Sequence, residues 1–232
     1  MKLREEALTL REDMSNMIVH DLRNPLAAIM LSAEIIKKYS DRPNNQNALT
    51  KKADQILASG KRLHDMIDSL LLMAKLESGK ILFNPVPTDL HDLGNAILND
   101  FELTANGKKI KLKGELPNPS TNLVIDAIIL RRIIENLLSN ALKFSPPNSQ
   151  VWLKIEYFPE NRLRIQVKDH GPGVSPEQAE NIFKKFEIGT VKANVSQIGL
   201  GLAFCKMAVE AQGGTLAIAP NQPQGSIFIV EI

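Results

Sequence analysis

Residues 18–36 read IVHDLRNPLAAIMLSAEII, and apolar residues recur in this stretch at steps of four and three. Such spacing places them on one face of an α-helix, as in the seam of a coiled coil. The same four-three spacing also occurs in residues 3–17, and the later positions are shifted by one residue relative to it. The sequence therefore predicts one long helix in which the apolar face changes phase. The seam positions are Leu3, Ala7, Leu10, Met14 and Met17, then Ile18, Leu22, Leu26, Ile29, Ala33 and Ile36.

A second helix is predicted after a polar turn. The stretch SDRPNNQN, residues 40–47, contains a proline and favours a turn. The four-three spacing then returns from Leu49 to Ala74 and predicts a helix that ends near Gly79. Because two helices cannot bury seams of this length against each other alone, we expect a homodimer whose four helices form a bundle. We assign residues 1–82 to this dimerisation domain.

The remaining residues, 83–232, predict an α/β sandwich. Short segments with alternating apolar residues indicate strands, and longer amphipathic segments indicate helices on one side of a mixed sheet. The predicted strands are 82–87, 110–116, 122–125, 151–157, 163–169, 215–219 and 226–232. The predicted helices run to about Leu103 after the capping residues Thr88 and Asp89, over 127–143 after Asp126, and over 200–212. The stretch 171–199 is predicted to be irregular, and the chain as a whole is of the α+β class.

Composition limits the function classes. The 232 residues are 44% hydrophobic and 23% charged, which is enough for one large or two small folded domains. A net charge of +2 gives no reason to expect a nucleic-acid partner. The single cysteine, Cys205, excludes an internal disulfide and a cysteine metal cluster. With no signal peptide and no apolar run of about 20 residues, we expect a cytoplasmic chain without membrane contact.

Three His-Asp pairs are candidates for phosphoryl chemistry. They are His20-Asp21, His64-Asp65 and His91-Asp92. A histidine that accepts a phosphoryl group must be accessible and benefits from a neighbouring carboxylate that takes its ring proton. His20 has an asparagine one helical turn away, Asn24, and His91 has the same HDLxN order, but only after Asn24 does a helix-perturbing proline, Pro25, follow. We therefore favour His20 and interpret His64 and His91 as surface histidines.

The residues around His20 resemble a known motif. VHDLRNPLAAI, residues 19–29, is similar to the H box of two-component sensor histidine kinases. Further stretches resemble the ATP-binding boxes of that family in the expected order. They are ENLLSNALKFSP at 135–146, VKDHGPGV at 167–174, the phenylalanine box IFKKF at 182–186, and QIGLGLAFCK at 197–206. The resemblance extends over nearly the whole chain and makes the first domain a histidine phosphotransfer domain as well as a dimerisation domain.

The resemblance implies a site for ATP and Mg²⁺. Asn136 and Asn140 lie one helical turn apart and supply amide oxygens, which are suitable ligands for Mg²⁺. Asp169 ends a strand and can accept a hydrogen bond from the amine of adenine. Glycines permit close approach of the backbone, and a helix beginning at glycine suits phosphate. The implied nucleotide-binding residues are Asn136, Asn140, Lys143, Phe144, Asp169, Gly171, Gly173, Gly199, Leu200, Gly201 and Leu202.

The resemblance also implies a reaction in two stages. The ATP-binding domain swings onto the bundle, where the neutral imidazole of His20 attacks the γ-phosphorus while Asp21 takes its proton. The phosphoryl group then passes to an aspartate on the receiver domain of a separate response regulator. Asn24 is implied to orient water for the reverse task, dephosphorylation of the regulator.

Other residues have secondary roles in this interpretation. Glu135 is a candidate for positioning groups at the metal, and Cys205 and Met207 are expected in the core. Residues 189–198 are polar and predict a lid over the nucleotide, anchored by burial of Phe183 and Phe186. Gln197 stands where the family usually has a glycine, which leaves the path of the lid open.

Two alternative functions remain. The chain could be a dimeric scaffold that binds nucleotide without transferring phosphate, or an ATPase of the gyrase, MutL or Hsp90 type. Those ATPases use a glutamate where this chain has Asn136, which disfavours hydrolysis as the main activity. The sequence contains no GxxxxGK[ST], no GxGxxG after a first strand and no HExxH, so other nucleotide folds and a zinc site are disfavoured.

Overall fold

The computed structural model describes residues 2–40, 45–118, 122–158, 162–179, 181–183 and 200–232. These residues divide into two compact units, and the division along the chain falls between Ala74 and Lys75. The first unit is formed mainly by the two long helices, and the second contains all the strands.

The two long helices confirm the predicted N-terminal architecture. Helix α1 spans Lys2–Tyr39 and helix α2 spans Gln46–Glu77. Helix α1 continues through Pro25, and the Ser32 hydroxyl donates to Gln55 Oε1 of α2 over 3.4 Å. Because this bond joins residues on either side of the connection, the helices lie beside each other as a hairpin. The seam positions predicted from Leu3 to Met17 lie outside the described side chains.

In the described residues, the second unit has two sheets and four helices. The strands are β1 Val86–Asp89, β2 Lys111–Glu115, β3 Asn122–Ile125, β4 Gln150–Phe158, β5 Arg162–Lys168, β6 Thr215–Pro220 and β7 Ser226–Glu231. The helices are α3 Leu90–Gly107, α4 Ala127–Phe144, α5 Pro176–Ala179 and α6 Gly201–Glu210. Strands β1 and β3 pair antiparallel, and the other five form a mixed sheet in the order β2-β4-β5-β7-β6. Only the β2-β4 pair is parallel.

One face of the mixed sheet forms the core with the helices. Alternate residues of β4 and β5 are buried, as the period of two along a strand requires. Helix α4 lies against both of these strands, while α3 lies against β2 and α6 against β6. The buried strand residues are Val151, Leu153, Ile155, Leu163, Ile165 and Val167. The predicted sandwich with helices on one side of a mixed sheet is therefore confirmed.

Several predicted boundaries are wrong. The strand expected at 82–87 begins at Val86 and continues to Asp89, because this segment pairs with β3 through Thr88 and Leu123. Thr88 is therefore a strand residue, and Asp89 alone caps α3, accepting hydrogen bonds from the backbone of His91 and Asp92. Helix α3 extends beyond Leu103 to Gly107 because Ala105 continues its buried face.

The region after β5 differs in two ways from the prediction. A short helix, α5, lies in the stretch expected to be irregular. Helix α6 ends at Glu210, two residues earlier than expected, because a turn with Gly213 at φ +76° leads into β6. Cys205 is fully buried as expected, whereas Met207 is only partly buried. In the part of the chain that the structure describes, no helix has both the length and the apolar character needed to cross a membrane.

Candidate functional site

The first candidate site lies on α1 around His20. The His20 side chain is 70% exposed, whereas that of Asp21 is only 7% exposed. His20 Nδ1 lies 3.2 Å from Asp21 Oδ1. Because an ionised carboxylate only accepts hydrogen bonds, this contact favours the tautomer in which Nδ1 carries the proton. Nε2 then keeps its lone pair, which makes it the nucleophilic atom of the ring.

The other two histidines have different environments. His64 is also exposed, and its Nε2 lies 3.5 Å from Oδ2 of the half-exposed Asp68. His91 is partly buried, and its Nδ1 donates to the backbone oxygen of Pro117 over 2.9 Å. A buried carboxylate next in sequence is a feature of His20 alone among these three. Asn24, the third predicted catalytic residue, is exposed one turn after His20, and Pro25 beside it is buried.

The second candidate site begins on α4. Asp126 caps this helix, since its Oδ1 accepts from the backbone of Ile128 and Ile129 and its Oδ2 from the backbone of Asn84. The cap positions Asn136 and Asn140 on one side of the helix, four residues apart. Asn136 Nδ2 donates to the backbone oxygen of Arg132 over 2.9 Å, which leaves its Oδ1 turned away from the helix backbone. Asn140 is buried, with 7% exposure.

The last turn of α4 contributes a lysine with an altered pKa. Burial, with a smaller contribution from the charge of Lys108, lowers the pKa of Lys143 from 10.5 to about 8. Lys143 Nζ lies 5.1 Å from the centre of the Phe144 ring. Lys108, after the end of α3, donates to the backbone oxygen of Leu142 over 3.2 Å. Because burial makes the charged ammonium unfavourable, a phosphate that approaches Lys143 would stabilise its charged form.

Asp169 is held rigidly at the end of β5. Its Oδ1 accepts from the backbone of Gly171 over 2.7 Å and of Ser226 over 3.2 Å. Its backbone oxygen accepts from Asn221 Nδ2 over 2.8 Å. Burial raises the pKa of Asp169, and the two bonds to Oδ1 oppose that effect. Both side-chain bonds end on the same oxygen, so the second carboxylate oxygen is the one that can meet a ligand.

Glycines bring the predicted residues together. A Cβ on Gly171 would lie 2.9 Å from Asp169 Oδ1 and 3.3 Å from the backbone oxygen of Phe144, so this loop lies against the end of α4. A Cβ on Gly201 would lie 3.0 Å from Asn136 Oδ1, so the first turn of α6 lies next to the predicted metal ligand. Gly173 adopts φ +80°, which other residues rarely tolerate.

The arrangement fits the nucleotide and its metal. An amide oxygen, the amino end of a ten-residue helix and a lysine surround one region, and each favours anionic phosphate or a hard cation. Among the described residues, no group of three or more His, Cys, Asp and Glu side chains is placed to hold a metal ion. Asn136 and Asn140 would hold a bound Mg²⁺, and the ion would compensate the negative charge of the phosphates.

Sequence reasoning missed Ser145. This residue ends α4, is 8% exposed, and its hydroxyl has no hydrogen-bond partner among the described residues. An orphaned buried hydroxyl is uncommon, and it lies directly after Phe144, whose backbone lies against Gly171. A water or ligand atom in the nucleotide site would satisfy it. Ser145 belongs to the quoted stretch 135–146, which was the available signal.

The remaining predicted residues have mixed outcomes. Leu200 is buried and directly precedes α6, and Leu202 is half-buried within it. Glu135 accepts from Arg131 of the same helix over 3.0 Å, and Arg131 also pairs with Asp100 of α3 over 2.8 Å, so the guanidinium of Arg131 joins the two helices.

The lid is only partly described. Phe183 is half-buried, with Lys206 Nζ 5.9 Å from its ring centre. Gly199, Gln197, Phe186 and the predicted lid at 189–198 lie outside the described residues.

Comparison with known proteins supplies the family. Residues 10–79 match the model of the His Kinase A (phospho-acceptor) domain, and residues 125–232 match that of the histidine kinase-, DNA gyrase B- and HSP90-like ATPases. Sensor protein KdpD of Escherichia coli is 30% identical over 224 residues, which cover 97% of this chain and 24% of KdpD. The chain therefore spans about a quarter of the length of this curated relative.

Solved structures share the fold. Acinetobacter baumannii histidine kinase AdeS is 21% identical with a TM-score of 0.68, covering 92% of this chain and 96% of AdeS. Histidine kinase ThkA, solved in complex with response regulator protein TrrA, is 21% identical with a TM-score of 0.63, covering 99% of this chain and 63% of that one. The two family models together match most of the chain in the order in which the two units occur. The chain thus contains the phospho-acceptor domain and the ATPase domain that together make up a histidine kinase core.

Proposed function

We propose that this chain is the core of an ATP-dependent protein-histidine kinase that phosphorylates His20. The observation that carries the proposal is the 3.2 Å contact between His20 Nδ1 and the buried carboxylate of Asp21, which favours the proton on Nδ1 and leaves Nε2 as the nucleophile. Residues 1–82 would form the dimerisation and phosphotransfer domain and residues 83–232 the ATP-binding domain. Because the substrate is ATP, we also expect the chain to work in the cytoplasm.

The proposed transfer uses His20 and Asp21 in sequence. Nε2 attacks the γ-phosphorus, the bond between that phosphorus and the bridging oxygen breaks, and ADP leaves. The ring gains positive charge as the new P–N bond forms, and Asp21 accepts the Nδ1 proton to relieve it. Asn136 and Asn140 would hold Mg²⁺ against the phosphates, Lys143 would meet a phosphate, and Asp169 would accept from the amine of adenine. Gly171, Gly173, Gly199, Leu200, Gly201 and Leu202 would shape the rest of the pocket, with Phe144 beside the base.

The identity of the phosphorylated atom tests this proposal. Phosphorus NMR of the protein after incubation with Mg²⁺ and ATP should give the signal of Nε2-phosphohistidine. His20→Gln should abolish that signal, whereas His91→Gln should leave it unchanged, because the ring of His91 donates to the backbone oxygen of Pro117 instead of to a carboxylate. A signal at Nδ1 of His20 would contradict the tautomer that Asp21 imposes.

A homodimer is the proposed assembly of the helical unit. Both helices leave large apolar side chains exposed in the single chain, which is expected where a partner surface covers them. They are Val19, Leu26, Met30 and Leu31 on α1, and Leu57, Ile67 and Leu71 on α2. Leu26 and Met30 lie four residues apart, as do Ile67 and Leu71, so each helix presents a continuous apolar stripe. Two copies would bury these stripes in a four-helix bundle.

The receiver domain of a response regulator is the proposed acceptor. ThkA, which shares this fold, was solved in complex with the response regulator TrrA. The exposed His20 offers its phosphoryl group to a partner carboxylate, and the exposed Asn24 one turn away can orient a water for regulator dephosphorylation. With a phosphorylated receiver, Asn24→Ala should slow dephosphorylation while autophosphorylation continues. Unchanged dephosphorylation would remove this role.

A further inference from the structure

The face of the mixed sheet opposite the helices carries an unusual row of side chains. Lys113 of β2, Trp152 of β4 and Lys168 of β5 are direct neighbours in the strand register. Lys113 Nζ lies 5.2 Å from the centre of the Trp152 ring. Trp152 is the chain's only tryptophan and is partly exposed, although tryptophan is usually well covered in soluble proteins. A large aromatic ring thus lies between two lysines on an accessible surface.

A cavity opens beside this ring. It has a volume of about 280 Å³ and is lined by Trp152, Lys154, Lys168, His170, Asn221 and Gln222, together with Glu115. The volume is near the lower end of the range for small-molecule sites. His170 Nδ1 donates to the backbone oxygen of Gln150 over 2.9 Å, which holds the imidazole 5.2 Å from the Trp152 ring. The cavity therefore has a fixed aromatic wall.

The cavity carries positive charge that its own carboxylate does not neutralise. Lys154 is paired with Glu115 over 2.8 Å and with Glu156 over 2.9 Å, so its charge is compensated. Lys168, in contrast, makes no ion pair with the residues that the structure describes, and neither does Lys113. An exposed ring beside uncompensated ammonium groups suits a ligand with a planar apolar part and a negative charge.

We propose that this cavity is a binding site for a small organic anion that carries a planar apolar group. The planar group packs against Trp152, and the anionic group meets Lys168. The site is separate from the nucleotide site, although the two share the segment at the end of β5. Asn221, which lines the cavity, donates to the backbone oxygen of Asp169.

The single indole makes the test direct. A ¹⁵N-labelled protein has one indole N–H cross-peak, which belongs to Trp152. Benzoate is titrated as the probe and the neutral benzamide as its uncharged counterpart. We expect a saturable shift of that cross-peak with benzoate and an affinity for benzamide that is weaker by about tenfold, because a charge-assisted hydrogen bond is lost.

Variants and a competition complete the test. Lys168→Met should weaken benzoate binding by about tenfold, whereas Lys111→Met, an exposed lysine of β2 outside the cavity lining, should not change it. The benzoate shift should persist with saturating ADP and Mg²⁺, and it does not require that the chain be an active kinase. Equal binding of benzoate and benzamide, unchanged binding by Lys168→Met, or displacement of benzoate by ADP would each overturn the proposal.

Discussion

At the scale of single residues, Lys143 links the nucleotide site to pH. Burial lowers its pKa to about 8, so the ammonium loses its proton as the pH rises through that value. Between this pKa and the ordinary 10.5, the unfolded chain binds more protons than the folded one, so the free protein becomes more stable with rising pH. The affinity for phosphate depends on pH in the opposite direction: it falls as the pH rises, because phosphate binding requires the charged ammonium of Lys143.

The first prediction follows from that sign. ATP affinity should fall by about tenfold between about pH 7 and pH 9.5, since one charge-assisted contact is lost. Lys143→Arg should bind ATP with little pH dependence over this range, because guanidinium stays charged. Isothermal titration calorimetry in buffers of different ionisation enthalpy measures both the affinity and the proton uptake. The same slope in the arginine variant would show that another group titrates.

Ser145 gives a second prediction with two readouts of opposite sign. Removing a buried hydroxyl without a partner should leave the free energy of unfolding unchanged or raise it. If the hydroxyl meets a water or atom of the bound nucleotide, Ser145→Ala should nonetheless weaken ATP binding several-fold, by about 1 kcal/mol. Ser149→Ala is the matched control, since that hydroxyl is exposed and donates to the backbone of Pro146. Lower stability with unchanged affinity would make Ser145 purely structural.

The sequence predicts which residues form the candidate site, but it does not predict their tautomers, burial or hydrogen bonds. His20, Asn136, Asn140 and Asp169 stand in recognisable motifs whose spacing already places them on helix faces or strand ends. The tautomer of His20 depends on its contact with the buried Asp21, and the amino-acid sequence does not show that burial. Ser145 was overlooked because serine at a helix end is common, and only its missing partner marks it.

At the scale of elements, α4 depends on its cap. Asp126 accepts three backbone hydrogen bonds, two at the start of α4 and one from Asn84. Asp89 accepts from the backbone of His91 and Asp92 at the start of α3. Both residues therefore cap a helix of 18 residues, and Asp126 also fastens the segment at Asn84.

The third prediction compares these two caps. Asp89→Ala should cost about 1 kcal/mol of unfolding free energy, and Asp126→Ala about 2 kcal/mol, because the additional buried bond is also lost. Urea unfolding monitored by circular dichroism measures both values. Equal costs would mean that the bond to Asn84 contributes nothing to stability.

Elements with a strong period were predicted well, and those formed by tertiary pairing were not. Helices α1, α2 and α4 and strands β4 and β5 follow from their apolar spacing, because each buries one face. The predicted boundaries of strand β1 were wrong because they depend on pairing with β3, some 35 residues away in the sequence. Prolines in this segment disfavour a strand, and the sequence alone does not show that the pairing outweighs them. Helix α5 is a single turn, too short for a period to be detected.

At the scale of the whole molecule, the exposed apolar stripes of α1 and α2 are the surfaces that the proposed homodimer would bury. The fourth prediction is that Leu71→Lys converts the dimer to a monomer, because a charge in the bundle core is costly to bury. Leu103→Lys on α3 is the control, since Leu103 is 86% exposed and lies outside the helical unit. Light scattering coupled to size exclusion gives the mass of each variant. A dimer that survives Leu71→Lys would place the contact elsewhere.

The central claim is that His20 alone accepts the phosphoryl group from ATP. The most direct measurement incubates the chain with γ-labelled ATP and Mg²⁺ and compares the wild type with His20→Gln, His64→Gln and His91→Gln. The account predicts an acid-labile label that is lost only in His20→Gln. Label that persists without His20, or a wild type that binds ATP and takes up no label, would contradict it.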